Sequence, residues 1–211
     1  MRRGGWIPVL LLGGATIALI GALAPWIPHK TAALRIGAFD LFEISKYLPP
    51  VRSGEIALLR ESFLLPVAVP ALLLALVPLA PDGKRGVGRW LLPIAAAIIA
   101  LSTIPPYPQI LSAHQDPEYR GQLVVSAATA ILALLSPLAV RLPDRIVAVS
   151  ILVLTGVGAI LPLAQFSRVR PLFATLYHAP VGLGWGIFIY VVGLSLTDLA
   201  GVLWLVSSRQ E

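Results

Sequence analysis

The chain contains several apolar runs close to the length that crosses a bilayer, and these runs constrain the fold most. The hydrocarbon core is about 30 Å thick and takes about 20 helical residues to span. Six segments approach that length: 6–27, 62–81, 88–104, 122–140, 146–166 and 182–206. No water reaches backbone polar groups there, so each segment must satisfy its own hydrogen bonds as a helix. The expected fold class is all-α, a polytopic transmembrane bundle of six spans in three hairpins. One integral membrane domain would cover 1–211, with 28–61 as the sizeable outer loop. The third span is the shortest. Pro93 lies early in it and Pro105-Pro106 ends it, so a five-helix bundle with 88–104 re-entrant is the alternative.

Composition agrees with a membrane protein. Hydrophobic residues make up 57% and charged residues 12%, against about 45–50% and about 25% in soluble domains. That balance excludes a soluble domain, a disordered chain and a nucleic-acid-binding module. The net charge of +6 resides in residues at helix ends and in loops, where basic groups orient a chain and meet anionic lipid. The absence of cysteine excludes disulfides, thiolate metal sites, iron–sulfur clusters and covalent haem attachment.

Met1-Arg2-Arg3 before an apolar run has the form of a secretory signal, with Ala22-Leu23-Ala24 as a small-residue cleavage motif. Pro25 follows that motif directly, and the run is long enough to span, so a retained first helix is expected. Lysines and arginines divide evenly, eight and eight, between the two sides of a six-span layout. They are denser in the short links 82–87 and 141–145. Both termini are therefore expected in the cytoplasm of a prokaryotic cell, with those links as inner turns.

Within 28–61, Asp40-Leu41-Phe42-Glu43 has capping-box spacing, with Asp40 as N-cap and Glu43 three residues later. Leu41, Phe42, Ile44 and Leu48 form an apolar side, Glu43 and Lys46 are i, i+3 partners, and Pro49-Pro50 stops the run. A short amphipathic helix on the outer interface is expected, either as a lid or docking surface or as a seal on the bundle's end. Pro66, Pro70, Pro78, Pro137 and Pro162 fall inside spans. Each removes a backbone hydrogen bond, and Pro66 with Pro70 should bend or open the second span.

Small residues mark packing faces. Gly14, Ala18 and Ala22 recur every four residues in the first span, and Gly182 and Gly186 form a GxxxG pair. Gly193, Thr197 and Gly201 continue along the last span, and Ala96, Ala97 and Ala100 lie in the third. Such faces let helix backbones approach closely. Trp6, Trp26, Trp90, Trp185 and Trp204 all fall near span ends, as an aromatic belt would place them.

Asp198 is the acid deep within an apolar span, with Ser195 and Thr197 beside it. A charge there costs at least about 2.5–3.5 kcal/mol on insertion scales and calls for a partner, a cavity or a pathway. It is a candidate proton or cation carrier, or half of an inter-subunit pair. Arg60 and Glu61 open the second span at its outer end and could line a vestibule for an anionic ligand. His29, His114 and His178 all fall on the outer side and could hold a metal or cofactor, with Asp116 or Glu118 completing the site. None has the close spacing of a ligand pair. The sequence contains no P-loop, GxSxG or HExxH motif.

These features favour a non-catalytic membrane subunit or accessory component, without a cofactor, partnered by lipid and by other membrane subunits or a second copy of itself. One alternative is a small-solute or ion transporter, proton-coupled through Asp198. The other is a cofactor-binding protein using the outer histidines.

Overall fold

A computed structural model describes residues 5–28, 35–81 and 88–208. Its elements are α1 (Ile7–Leu23), α2 (Ala38–Ser45), α3 (Pro49–Arg52), α4 (Leu65–Leu76), α5 (Gly88–Leu101), α6 (Pro117–Leu135), α7 (Asp144–Tyr177) and α8 (Trp185–Ser207). The architecture is an all-α bundle, but six spans in three hairpins is not what forms. Among the described residues, four stretches are long and apolar enough to cross a membrane: Arg60–Leu79, Pro117–Arg141, Asp144–Tyr177 and Trp185–Ser207. The segments 6–27 and 88–104 yield helices of 17 and 14 residues. At helical rise these measure about 25 Å and about 21 Å, short of the hydrocarbon thickness.

The C-terminal ends of both helices trace to proline. The residue before a proline is pushed out of the helical region, and Ala24 before Pro25 is extended at ψ 161. α5 gives way to turns after Leu101, before Pro105-Pro106. The second long stretch is composite: 3-10 turns at Arg60–Leu64 and Val77–Leu79 flank α4, with Pro66 in the first α-turn and Pro78 in the trailing 3-10 turn. α7 runs 34 residues and overshoots the expected end at 166. Arg168 and Arg170, which lie beyond that expected end, are helical.

α4 is the central element. Of its span, 72% is buried within the protein, against 33%, 33% and 39% for the stretches built on α6, α7 and α8. α1, α5, α6 and α7 all pack on α4, and α1 also packs closely along α8. The α1–α8 seam is made by small residues. Gly14 faces the backbone of Gly193 and Thr197, Gly193 faces Ala18, and Gly186 faces Ala24. Ala18 and Ala22 are buried in the same seam. Gly201 faces Leu152 of α7, while Gly182 lies outside the helices near Pro28. Ala96, Ala97 and Ala100 are buried in α5, which packs on α4 and α6.

Two tryptophans depart from the expected belt. Trp26 and Trp204 are buried, whereas Trp6, Trp90 and Trp185 are exposed. Trp26 has a local cause. Pro25 has no N–H for the carbonyl of Gly21, and the Trp26 indole N–H donates to that oxygen at 3.1 Å. The same repair recurs in α7. Pro162 deprives the Gly158 carbonyl of its helical donor, and the Tyr190 hydroxyl on α8 donates to it at 2.7 Å. Tyr190→Phe is therefore expected to destabilise the fold by about 1–2 kcal/mol. In a Pro162→Ala background, where the carbonyl regains its donor, the same change should cost less. Unfolding of the four proteins in mixed micelles measures the coupling, and equal costs in both backgrounds would remove this explanation.

α2 begins two residues before Asp40. Gly37 is the N-cap, and Asp40 is the third helical residue, its Oδ2 accepting the Gly37 N–H at 2.7 Å. Leu41, Phe42 and Leu48 are buried against the bundle rather than lying on a lipid interface. Lys46 donates to Glu43 at 3.0 Å and to Glu118 at 2.6 Å, tying α2 to the start of α6. Burial opposes the lysine charge, but the hydrogen bonds to Glu118 and Glu43 outweigh it and raise the pKa above its ordinary value.

Candidate functional site

α8 presents Gly193 and Thr197 to α1 along one ridge, and Thr197 is buried there. Successive helical residues are rotated by about 100°, so Asp198 comes out at the edge of that packed face. It is exposed, in a shallow groove between α7 and α8 lined by Thr155, Gly156, Ala159, Val191, Leu194 and Ser195. The groove measures about 280 Å³. Asp198 is nine residues before the end of α8, about 14 Å at helical rise, so it is well inside the span.

The protein supplies this carboxyl with little. The Thr155 hydroxyl lies 2.9 Å from Asp198 Oδ1 and 2.9 Å from the carbonyl oxygen of Leu152. A hydroxyl has one hydrogen to give, and both neighbours are acceptors when the acid is ionised. Ser195 does not help, because its hydroxyl donates to the Val191 carbonyl at 2.9 Å. No cation pairs with Asp198 among the described residues. The groove is thus a polar notch with a small-residue floor on the outside of the bundle, short of hydrogen-bond donors.

Arg60 and Glu61 are adjacent in sequence but line different clefts. Arg60 lines a cleft of about 700 Å³ at the α2 end of the molecule, together with Lys46, Arg52 and Glu118. Its guanidinium stacks over Phe42 at 4.9 Å, and Nε donates to the Phe42 carbonyl at 3.4 Å. Its buried Nη2 has no hydrogen-bond partner among the described residues. Glu61 lines a second cleft with Gln115 and Arg120, and packs against Gly121. The arginine side suits an anion, but Lys46 is already committed to two glutamates.

His114 is exposed, and His178 is exposed at the left-handed end of α7, with φ 48. His29 lies outside the described residues. Among the described residues, no group of three His, Asp or Glu side chains is placed to hold a metal ion. Sequence reasoning missed Thr155 as the neighbour of Asp198, because nothing in its spacing links α7 to α8. It also missed Gly156 and Ala159, which leave room beside the carboxyl.

Comparison with protein-family models, curated proteins and solved structures finds no match to this chain.

Proposed function

We propose that the protein is a non-catalytic integral membrane subunit that docks another membrane-embedded polypeptide on its α7/α8 face. One observation carries the reading: Asp198 sits mid-span, exposed and short of donors. Hydrocarbon cannot supply a donor, and intramembrane acids ordinarily face a partner or a water-filled cavity. A neighbouring helix bearing a lysine, arginine or amide would meet that need. Gly156 and Ala159 would let its backbone come close. Small residues of this chain's α1–α8 seam are already used internally, so that seam is not free for docking, whereas Asp198 and Gly156 line an open groove. The reading keeps both termini in the cytoplasm of a prokaryotic cell, as the dense basic links suggest.

The transport alternative has less support. Asp198 faces outward, while apolar side chains of α1, α4 and α8 fill one contiguous buried core. The test is extraction from native membranes in mild detergent, followed by native electrophoresis and mass spectrometry of the band. Stoichiometric foreign membrane subunits are expected. A band holding this chain alone as a monomer would contradict the proposal, and proton-coupled flux lost in Asp198→Asn would then favour transport.

A further inference from the structure

A second groove lies between α6 and α7, away from Asp198, with α4 as its floor. It measures about 700 Å³, within the range of small-molecule sites, about 300–1,000 Å³. Leu72 and Leu76 of α4, Leu132 and Leu135 of α6, and Val149 and Val153 of α7 give it apolar walls. It extends along α7 from Arg145 to Leu154, about 14 Å at helical rise. Its two serines are already committed: Ser136 donates to the Ala75 carbonyl at 2.9 Å and Ser150 to the Ile146 carbonyl at 2.8 Å. The walls therefore offer an apolar body no polar partner until the guanidinium of Arg145.

That end of the groove is basic. Arg141 closes the 3-10 turn after α6, and Arg89 donates to the Pro137 carbonyl in the same turn at 3.3 Å. Asp144 is the acid at this end among the described residues. Neither Arg141 nor Arg145 has an ion-pair partner among the described residues. A guanidinium fork matches phosphate oxygens with two parallel hydrogen bonds. Basic pockets between membrane helices suit anionic head groups.

We propose that this groove binds one anionic phospholipid, with an acyl chain against Leu72, Leu76, Val149 and Val153 and the head-group phosphate on Arg145. A helix from another protein would fill the apolar walls but would leave the arginine unanswered. The site is separate from the α7/α8 groove and does not depend on the docking reading.

The test uses the purified full chain and native mass spectrometry. Phosphatidylglycerol and phosphatidylcholine with identical acyl chains are added in turn. The wild type is expected to retain one phosphatidylglycerol in preference to phosphatidylcholine. Arg145→Gln should lower that retention about fivefold, the share expected of one basic residue, without changing phosphatidylcholine. Val149→Trp, which fills the groove, should reduce retention of both. If that variant elutes as aggregate, Ser150→Leu at the exposed edge replaces it. Equal retention of the two lipids by the wild type, or no change in Arg145→Gln, overturns the proposal. A dimer that dissociates on Val149→Trp would assign the groove to a second copy and overturn it as well.

Discussion

Gly193→Leu is expected to prevent the chain from folding. A β-carbon at Gly193 would sit 2.6 Å from the Cα of Ala18 and 2.6 Å from the Gly14 carbonyl oxygen. Those are backbone atoms, so no side-chain rotation relieves the clash, and α1 must move away from α8. The loss reaches or exceeds about 3 kcal/mol, the upper end for overpacking a well-packed interior. Gly13→Leu is the matched control on α1, because a β-carbon there meets nothing within 4 Å. Monodisperse elution in detergent after mild heating separates the two. A Gly193→Leu protein as stable as Gly13→Leu would mean that the α1–α8 seam is not packed as described.

The second large effect concerns the α7/α8 groove. Asp198→Leu and Gly156→Trp are both expected to leave the chain folded and to abolish its association with a membrane partner. Gly156 faces open space, so a tryptophan there projects into the groove without displacing protein atoms at its root. Asp198 is exposed, and its Thr155 contact is the one side-chain hydrogen bond it makes among the described residues. Truncating one side of a buried, hydrogen-bonded charged contact costs about 2–5 kcal/mol of binding, or at least about 30-fold in affinity. Asp198→Asn retains hydrogen-bonding capacity and should keep part of the association. Quantitative recovery of partner subunits with each variant reads the effect. Undiminished recovery with both Asp198→Leu and Gly156→Trp would place the interface elsewhere.

Helix positions were legible in the sequence because proline and apolar run length are local signals. Pro25 and Pro105-Pro106 do end helices near where they stand, but the helices stop before the apolar runs do. α1 and α5 lose residues to turns at those prolines and fall short of a full span. α7 departs in the other direction and outlasts its apolar run. Arg168 and Arg170 mark where apolarity ends, and helical hydrogen bonding does not end with it. Arg170 stays anchored by donating to the Val181 carbonyl at 2.6 Å.

The burial of Trp26 was hidden because two effects compete at one residue. Its position near a span end suggests the belt, but the carbonyl freed by Pro25 gives its indole a partner inside. The direction of Asp198 was legible in part. Gly186 and Gly193 mark the ridge of α8 that packs on the α1 segment, and Asp198 lies about 100° from Thr197 on that ridge. What surrounds Asp198 was not legible, because Thr155 is 43 residues away on another helix. The separation of Arg60 and Glu61 into two clefts follows from their adjacency, since neighbouring residues point to different sides of a helical turn.

The most direct test of docking at the α7/α8 face is a photo-activated cross-linker placed at Gly156 in cells expressing the full chain. Its position beside Asp198, with open space in front, makes whatever covers the groove its first target. Illumination of native membranes should yield a discrete protein adduct, and Asp198→Leu should remove it. Adducts confined to lipid in both the parent and the Asp198→Leu protein would contradict a docking role for this face.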